Sequence, residues 1–296
     1  MSVTISATLV KELRERTSAG MMECKRALEQ AAGDIELAID NMRKSGQAKA
    51  DKKSSRTAAE GLVAVQSSAD NRTAVMVEIN SETDFVSRDS NFIEFCKNVA
   101  AAALANKTSS ADVLLHAPYQ AGLTVEDARK ALVLKIGENI VVRRVVVKQA
   151  DKGVIGTYVH GGRIGVMVTV TTDDVELAKD LAMHVAANNP VMVRPEDCPA
   201  DVLAKEKEIF AAQVQESGKP ANIAEKILEG KVKKFLEESS LLGQPFVKDP
   251  DISVAQLLKE KQSDVVSFER YRVGDGIEKE VSNFVEEVMA QVRTGA

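Results

Sequence analysis

The stretch "GLVAVQSSADNRTAVMVEINSETD", Gly61–Asp84, returns 92 residues later as "GVIGTYVHGGRIGVMVTVTTDD", Gly153–Asp174. Each copy alternates apolar and polar residues, crosses a turn ("SADNR" or "HGGR") and alternates again. Strict alternation puts every second side chain on one face, so each copy reads as a β-hairpin with a buried side. An alanine- and valine-rich helical stretch follows each hairpin, at 92–105 and 177–188. A third strand then closes each unit, at 139–148 and 264–273. The repeat therefore predicts an α+β protein with two related subdomains, 61–150 and 151–275, each built on an antiparallel three-stranded sheet.

The two units differ in length. The third strands, taken at Val141 and Val266, lie 125 residues apart, so the second unit carries about 33 more residues than the first. The surplus falls at Pro195–Glu238. Val202, Ile209 and Val214, then Ile223, Ile227 and Val232, form narrow apolar stripes on either side of the break "ESGKPAN", 216–222. Narrow stripes mixed with charge suit two helices that mainly bury each other. Two helices of roughly 20 residues would reach about 30 Å at 1.5 Å per residue. The expectation is an antiparallel helical hairpin, 195–238, projecting from the body of the second unit.

Upstream, residues 1–46 read as three short helices. Ile5, Leu9, Val10 and Leu13 share one face. Met21, Cys24 and Leu28 continue the period past "TSAG", and "AAGD" supplies a Gly stop and an Asp cap before Ile35, Ala38, Ile39 and Met42. Met21 and Met22 are adjacent and point about 100° apart on a helix, so one is expected buried and the other presented. Residues 47–60 are expected to be a basic linker. The basic run Arg43, Lys44, Lys49, Lys52, Lys53 and Arg56 reads as a solvated linker or frayed helix end before it reads as a nucleic-acid patch. Residues 276–296 are expected to form a C-terminal helical module.

Composition narrows the function. The net charge of −5 offers no general attraction to nucleic acid, and aromatics at 4% are too sparse for a base-stacking platform. Three scattered cysteines suggest neither a disulfide framework nor a metal site. The first residues lack a basic segment leading into an apolar one, and no apolar run approaches ~18 residues, so a cytoplasmic protein is expected. Of the three histidines, His184 reads as a core residue, His116 as a loop residue and His160 as exposed at a hairpin turn. No nucleotide-binding, nucleophile or zinc motif occurs, so neither catalysis nor a cofactor is expected.

What remains is binding. The end of the first hairpin runs into "SETDFV", Ser81–Val86, an acid beside a large aromatic on a polar turn. The local pattern leaves open whether Phe85 folds back on its own core or is held out. The matching place in the second copy reads "TTDDVE", 171–176, with an Asp and no Phe.

Six segments together resemble the bacterial elongation factor Ts family. They are Leu9–Gly46, "SETDFVSRDSNF" (81–92), "KIGENI" (135–140), "HGGRIGV" (160–166), "MHVAA" (183–187) and "GQPFV" (243–247). The resemblance implies an exchange factor for the GTPase elongation factor Tu, with no covalent chemistry and no cofactor. It also implies that the first module is similar to a ubiquitin-associated (UBA-like) domain and that the hairpin is a coiled coil. The family's contacts fall on Thr83, Asp84, Phe85 and Val86, with Asp84 and Phe85 entering the partner near its magnesium site. Further contacts fall on Arg14, Met21 and Met22, on Ile136 and on His160. Gly162 replaces an alanine common in the family and is expected to loosen its turn slightly. No membrane or direct nucleic-acid partner is implied, while a dimer of heterodimers paired through the hairpin stays open.

Overall fold

The computed structural model describes residues 5–17, 19–120, 122–216 and 220–278. The chain opens with α1 (Ala7–Thr17), α2 (Met21–Gln30) and α3 (Ile35–Lys53), which pack on one another around the fully buried Leu13, Cys24, Leu28 and Ala38. The periodic positions read from the sequence supply this core. The stretch expected as a linker from residue 47 instead begins as helix, because α3 continues to Lys53. Gly46 and Ala50 are buried, and Gly46 lies against Leu134. Of the basic run, the side chains of Arg43 and Lys49 lie outside the described residues.

The first repeat unit follows. It comprises β1 (Glu60–Ser67), β2 (Thr73–Ser81), α4 (Ser90–Asn106), α5 (Ala111–Leu115), α6 (Val125–Ile136) and β3 (Ile140–Gln149). The second comprises β4 (Val154–His160), β5 (Ile164–Val170), α7 (Val175–Asn188), α8 (Ala200–Glu216) and α9 (Ala221–Ser239), then β6 (Pro245–Phe246), β7 (Asp249–Ser253), α10 (Val254–Glu260) and β8 (Val265–Arg272). The sheets run β1-β2-β3 and β4-β5-β8, so in each the second hairpin strand is central. The β4–β5 pair is antiparallel, from Val154 opposite Val170 to His160 opposite Ile164. A small third sheet, β6-β7, joins the "GQPFV" segment to its successor.

By contact the chain divides into two compact units. One holds 1–64, 77–146 and 272–296, the other 65–76 and 147–271. In the first, Val77, Ile79, Phe92, Phe95, Val99, Leu132, Val133, Ile140 and Val142 are buried, and α3 and α4 both pack on α6. In the second, α7 covers β4 and β5, setting Leu177, Ala178, Leu181 and Val185 over Val154, Val166, Val168 and Val170.

The glycines that open the two copies show that the repeat is structural. Gly61 and Gly153 hold positive φ, 129° and 70°. A β carbon on either would sit 2.1 Å from a backbone oxygen of the adjacent strand, that of Ile79 or of Val170. Ile79 and Val170 are therefore counterparts.

His184 is a core residue. The Val247 N–H donates to its Nδ1 (3.1 Å), which puts the proton on Nε2 facing Gln244 Oε1 at 2.9 Å. Burial holds its pKa below the usual imidazole range, against the pull of the Gln244 hydrogen bond. Gln244 donates in turn to the Glu238 carbonyl (2.7 Å). The "MHVAA" and "GQPFV" segments thus hold each other in place.

The helices α8 and α9 pack on each other. Phe210 meets Phe235 edge to face at 6.1 Å, and the Lys231 ammonium lies 5.5 Å from the Phe210 ring centre. Of the break expected between them, residues 217–219 lie outside the described residues, as does the C-terminal module from 279 onward. Among the described residues no helix is long and apolar enough to cross a membrane.

Candidate functional site: the Phe85 loop

The central strand β2 ends at Ser81 and α4 begins at Ser90. Asp89 caps α4, its Oδ1 accepting from the amides of Asn91 (2.8 Å) and Phe92 (3.2 Å). In the second copy Asp174 caps α7, accepting from the Leu177 amide (2.9 Å). Because Ile79 matches Val170, Asn80 matches Thr171. The cap comes nine residues after Asn80 but three after Thr171, so the first copy carries six extra residues. This corrects the sequence pairing of "SETDFV" with "TTDDVE". Asp174 answers to Asp89, not Asp84, and the segment bearing Phe85 has no counterpart in the second copy.

The inserted loop is ordered by its own short bonds. Ser81 Oγ donates to the Thr83 carbonyl (2.9 Å) and Ser87 Oγ to that of Asp84 (2.6 Å). A single 3-10 turn, Val86–Arg88, is closed by the Arg88 amide on the Phe85 carbonyl (3.1 Å). Val86 points inward and is buried, Asp84 is exposed, and Phe85 is 78% exposed. Burying a phenylalanine is worth about 1.5–3 kcal/mol, so a ring left in water needs a loop that cannot fold back.

Two carboxylates give that rigidity. Glu138, just past the end of α6, accepts from the Thr83 amide (2.9 Å) and hydroxyl (2.7 Å), one on each oxygen. Glu82 accepts from the Asn139 amide (2.6 Å). Each segment thus supplies a carboxylate to the other's backbone. The end of α3 joins the same junction. Lys53 donates to the Gly137 carbonyl, Asn139 Nδ2 to the Arg56 carbonyl (2.8 Å), and Arg56 reaches Glu82 at 3.5 Å.

Beneath the loop lies a buried charge network. Glu78 is fully buried in β2. It accepts from Arg143 (3.0 Å), Arg144 (2.5 Å), Asn80 Nδ2 (3.0 Å) and the Gly274 amide (2.8 Å). Both guanidiniums also bond carbonyls at and just past the end of β8, Arg144 that of Arg272 (3.1 Å) and Arg143 that of Asp275 (2.6 Å). Burial alone would raise the Glu78 pKa. The Gly274 amide, Asn80 and Arg144 outweigh it and hold the carboxyl below its ordinary value.

The other expected contact residues are spread over several elements. Arg14 is exposed on α1. Met21 and Met22 are 60% and 65% exposed, which corrects the expectation that one of them is buried. The buried face of α2 is Cys24, Ala27 and Leu28, and Met21 lies a turn before it at the helix start. Ile136, half-buried at the end of α6, is brought beside the Phe85 loop by the Glu138–Thr83 bonds. His160 is exposed at the end of β4 in the other unit, with the Tyr158 hydroxyl 3.2 Å from its Nδ1. The adjoining turn passes through Gly161 and Gly162 at φ 56° and 71° and closes through the Arg163 amide on the His160 carbonyl (3.0 Å). An alanine at 162 would be strained there, so the glycine fits this turn where loosening was expected.

Sequence reasoning missed Glu78, Glu82, Glu138 and Asn139. Only Glu78 left a local sign, an acid within the apolar run "AVMVEIN".

The family model described as Elongation factor TS matches residues 82–275, which takes in the Phe85 loop, both carboxylate clamps and the Gly274 amide. The chain belongs to the elongation factor Ts family. The curated Elongation factor Ts of Legionella pneumophila (strain Paris) is 59% identical over 291 residues, 98% of this chain and 99% of that one. That of Alcanivorax borkumensis is 59% identical over 285 residues, 96% and 100%. That of Methylococcus capsulatus is 54% identical over 291 residues, 98% and 99%. The likeness to these Elongation factor Ts relatives extends through the N-terminal helices, which the family model leaves out.

Proposed function

We infer that the chain is a guanine-nucleotide exchange factor for elongation factor Tu, acting in translation elongation in the cytoplasm. The carrying observation is Phe85, held in water on a clamped insertion that the repeat fold does not need. Exchange makes and breaks no covalent bond. The factor binds the GTPase more tightly when its nucleotide site is empty. By linkage it weakens nucleotide binding by the same factor by which nucleotide weakens its own binding.

In this reading Phe85 enters the partner beside its magnesium and phosphate site. Inserting the ring is worth about 1.5–3 kcal/mol, or roughly 10- to 100-fold in release. Magnesium tolerates little departure from octahedral geometry, so a small displacement of its ligands accounts for further acceleration. Asp84 supports the displaced arrangement from the outer side of the loop. Arg14, Met21 and Met22 form a second contact on a UBA-like module, and Ile136 in the first unit and His160 in the second are further contacts. The paired helices α8 and α9 act as a coiled coil, through which two factor–GTPase pairs would assemble as a dimer of heterodimers.

The test is release of a fluorescent GDP analogue from elongation factor Tu. Added protein is expected to accelerate it, and Phe85→Ala to remove most of the acceleration while complex formation persists. A stable complex with no acceleration by the unaltered protein would instead make it a non-exchanging scaffold.

A further inference from the structure

We propose that Glu138 is a positioning residue for exchange, holding the Asp84–Phe85 turn in its presented form through Thr83; this rests on the reading of Phe85 given above. Glu138 lies 55 residues from Thr83 in sequence, yet its carboxylate takes both donors that Thr83 offers, the amide at 2.9 Å and the hydroxyl at 2.7 Å. These are the long-range hydrogen bonds closest to the exposed ring, two residues before Phe85. Both have a charged acceptor, the stronger class of hydrogen bond. On the other side of the ring Val86 is buried. Phe85 is thus fixed from both flanks and left exposed between them.

The second copy acts as an internal control. At the same junction there, the end of β5 and the start of β8 bond each other through carbonyl and hydroxyl oxygens, with no carboxylate accepting across it. The Thr171 amide donates to the Asp264 carbonyl (3.0 Å) and the Asp264 amide to Thr171 Oγ1 (2.9 Å). Thr172 and Ser263 pair through their hydroxyls at 2.8 Å. The Asp264 carboxylate is turned instead to Arg194 (2.6 Å) and to the Val265 amide (2.8 Å), so the two facing segments close without a carboxylate between them. The carboxylate clamp occurs where the inserted aromatic loop occurs, which ties it to presenting the loop.

The expected behaviour follows. Glu138→Met keeps side-chain length and removes both acceptors. It should slow factor-stimulated GDP release about tenfold, while Glu138→Gln, which keeps one acceptor oxygen, should recover at least half of the loss. Thr83→Val, which removes only the hydroxyl, should lie between them and serves where Glu138→Met does not fold. The deciding measurement is a double-mutant cycle with Phe85→Ala. If Glu138 acts through the ring, Glu138→Met should change release less than twofold once Phe85 is alanine. A full tenfold loss in that background, or wild-type release from Glu138→Met and Thr83→Val alongside a slow Phe85→Ala, overturns the proposal and leaves the role of Phe85 standing. Wild-type release from Phe85→Ala itself overturns the underlying reading and the proposal with it.

Discussion

Asp89 and Asp174 are counterparts, each capping the helix that follows its repeat hairpin, and the six residues by which their spacing from Asn80 and Thr171 differs are those that carry Phe85. Deleting Thr83–Arg88 would give the first copy the spacing of the second. The variant is expected to fold, with a loss of about 1.5–3 kcal/mol from the buried Val86 side chain. It is expected to lose at least 100-fold of the GDP-release activity. Thermal unfolding and release kinetics on the same preparation check both.

The Phe85→Ala variant separates function from stability in the other direction. An exposed ring contributes little to folding, so the unfolding midpoint should stay within the range of ordinary surface substitutions, about ±0.5 kcal/mol. A large drop in stability would mean that the ring packs on its own core in solution.

Glu78→Ala should be among the most destabilising single changes in the chain. It leaves Arg143, Arg144 and the Gly274 amide facing a site without its anion. Breaking a buried ion pair by removing one partner costs about 3–5 kcal/mol. Denaturant unfolding measures it, and Glu78→Gln should recover only part of the loss.

Acid should weaken the fold through His184 and through carboxylates whose folded pKa values are lowered, Glu78, Asp89 and Glu126 among them. Each binds fewer protons folded than unfolded, so stability falls as pH falls. The His184 contribution is complete above its unfolded value of about 6.5 and is lost as pH drops through its lower folded value. The Glu78 contribution is complete above about 4.3 and is lost further down. Unfolding midpoints from pH 8 to about pH 2 should therefore decline in two stages, and His184→Gln should remove the upper one.

Gly61→Ala and Gly153→Ala should each cost well over the ~1 kcal/mol of an ordinary positive-φ substitution, since the added carbon meets backbone at 2.1 Å. Gly161→Ala, also at positive φ but with open space around it, should cost only about that amount. Unfolding midpoints of the three variants give the order.

The repeat, both three-stranded sheets and the two hairpin helices were legible in the sequence because period-two alternation and glycine punctuation are local signals. Helix α6 was not singled out, although Thr124 and Asp127 form a reciprocal capping box at its start that the spacing "TVED" announces. The reach of α3 was underestimated, because a run of lysines reads as solvent-facing whether or not it is helical. "TTDDVE" was paired with the wrong aspartate, since a six-residue insertion slides the match while keeping an acid in view. The clamps at Glu82 and Glu138 pair segments more than fifty residues apart. No window of sequence contains both partners.

The Gly274 amide donates to a carboxylate 196 positions earlier in the chain. Protein synthesis proceeds from the N-terminus at about 5–20 residues per second. Arg143 and Arg144 can meet Glu78 as soon as β3 emerges, but the last donor arrives on the order of ten seconds later. The sheet that bears the aromatic loop can thus form well before the last donor to its buried acid is made. Truncations just before Gly274 should leave Glu78 short of a partner, which separates completion of the sheet from completion of the charge network that holds its buried acid.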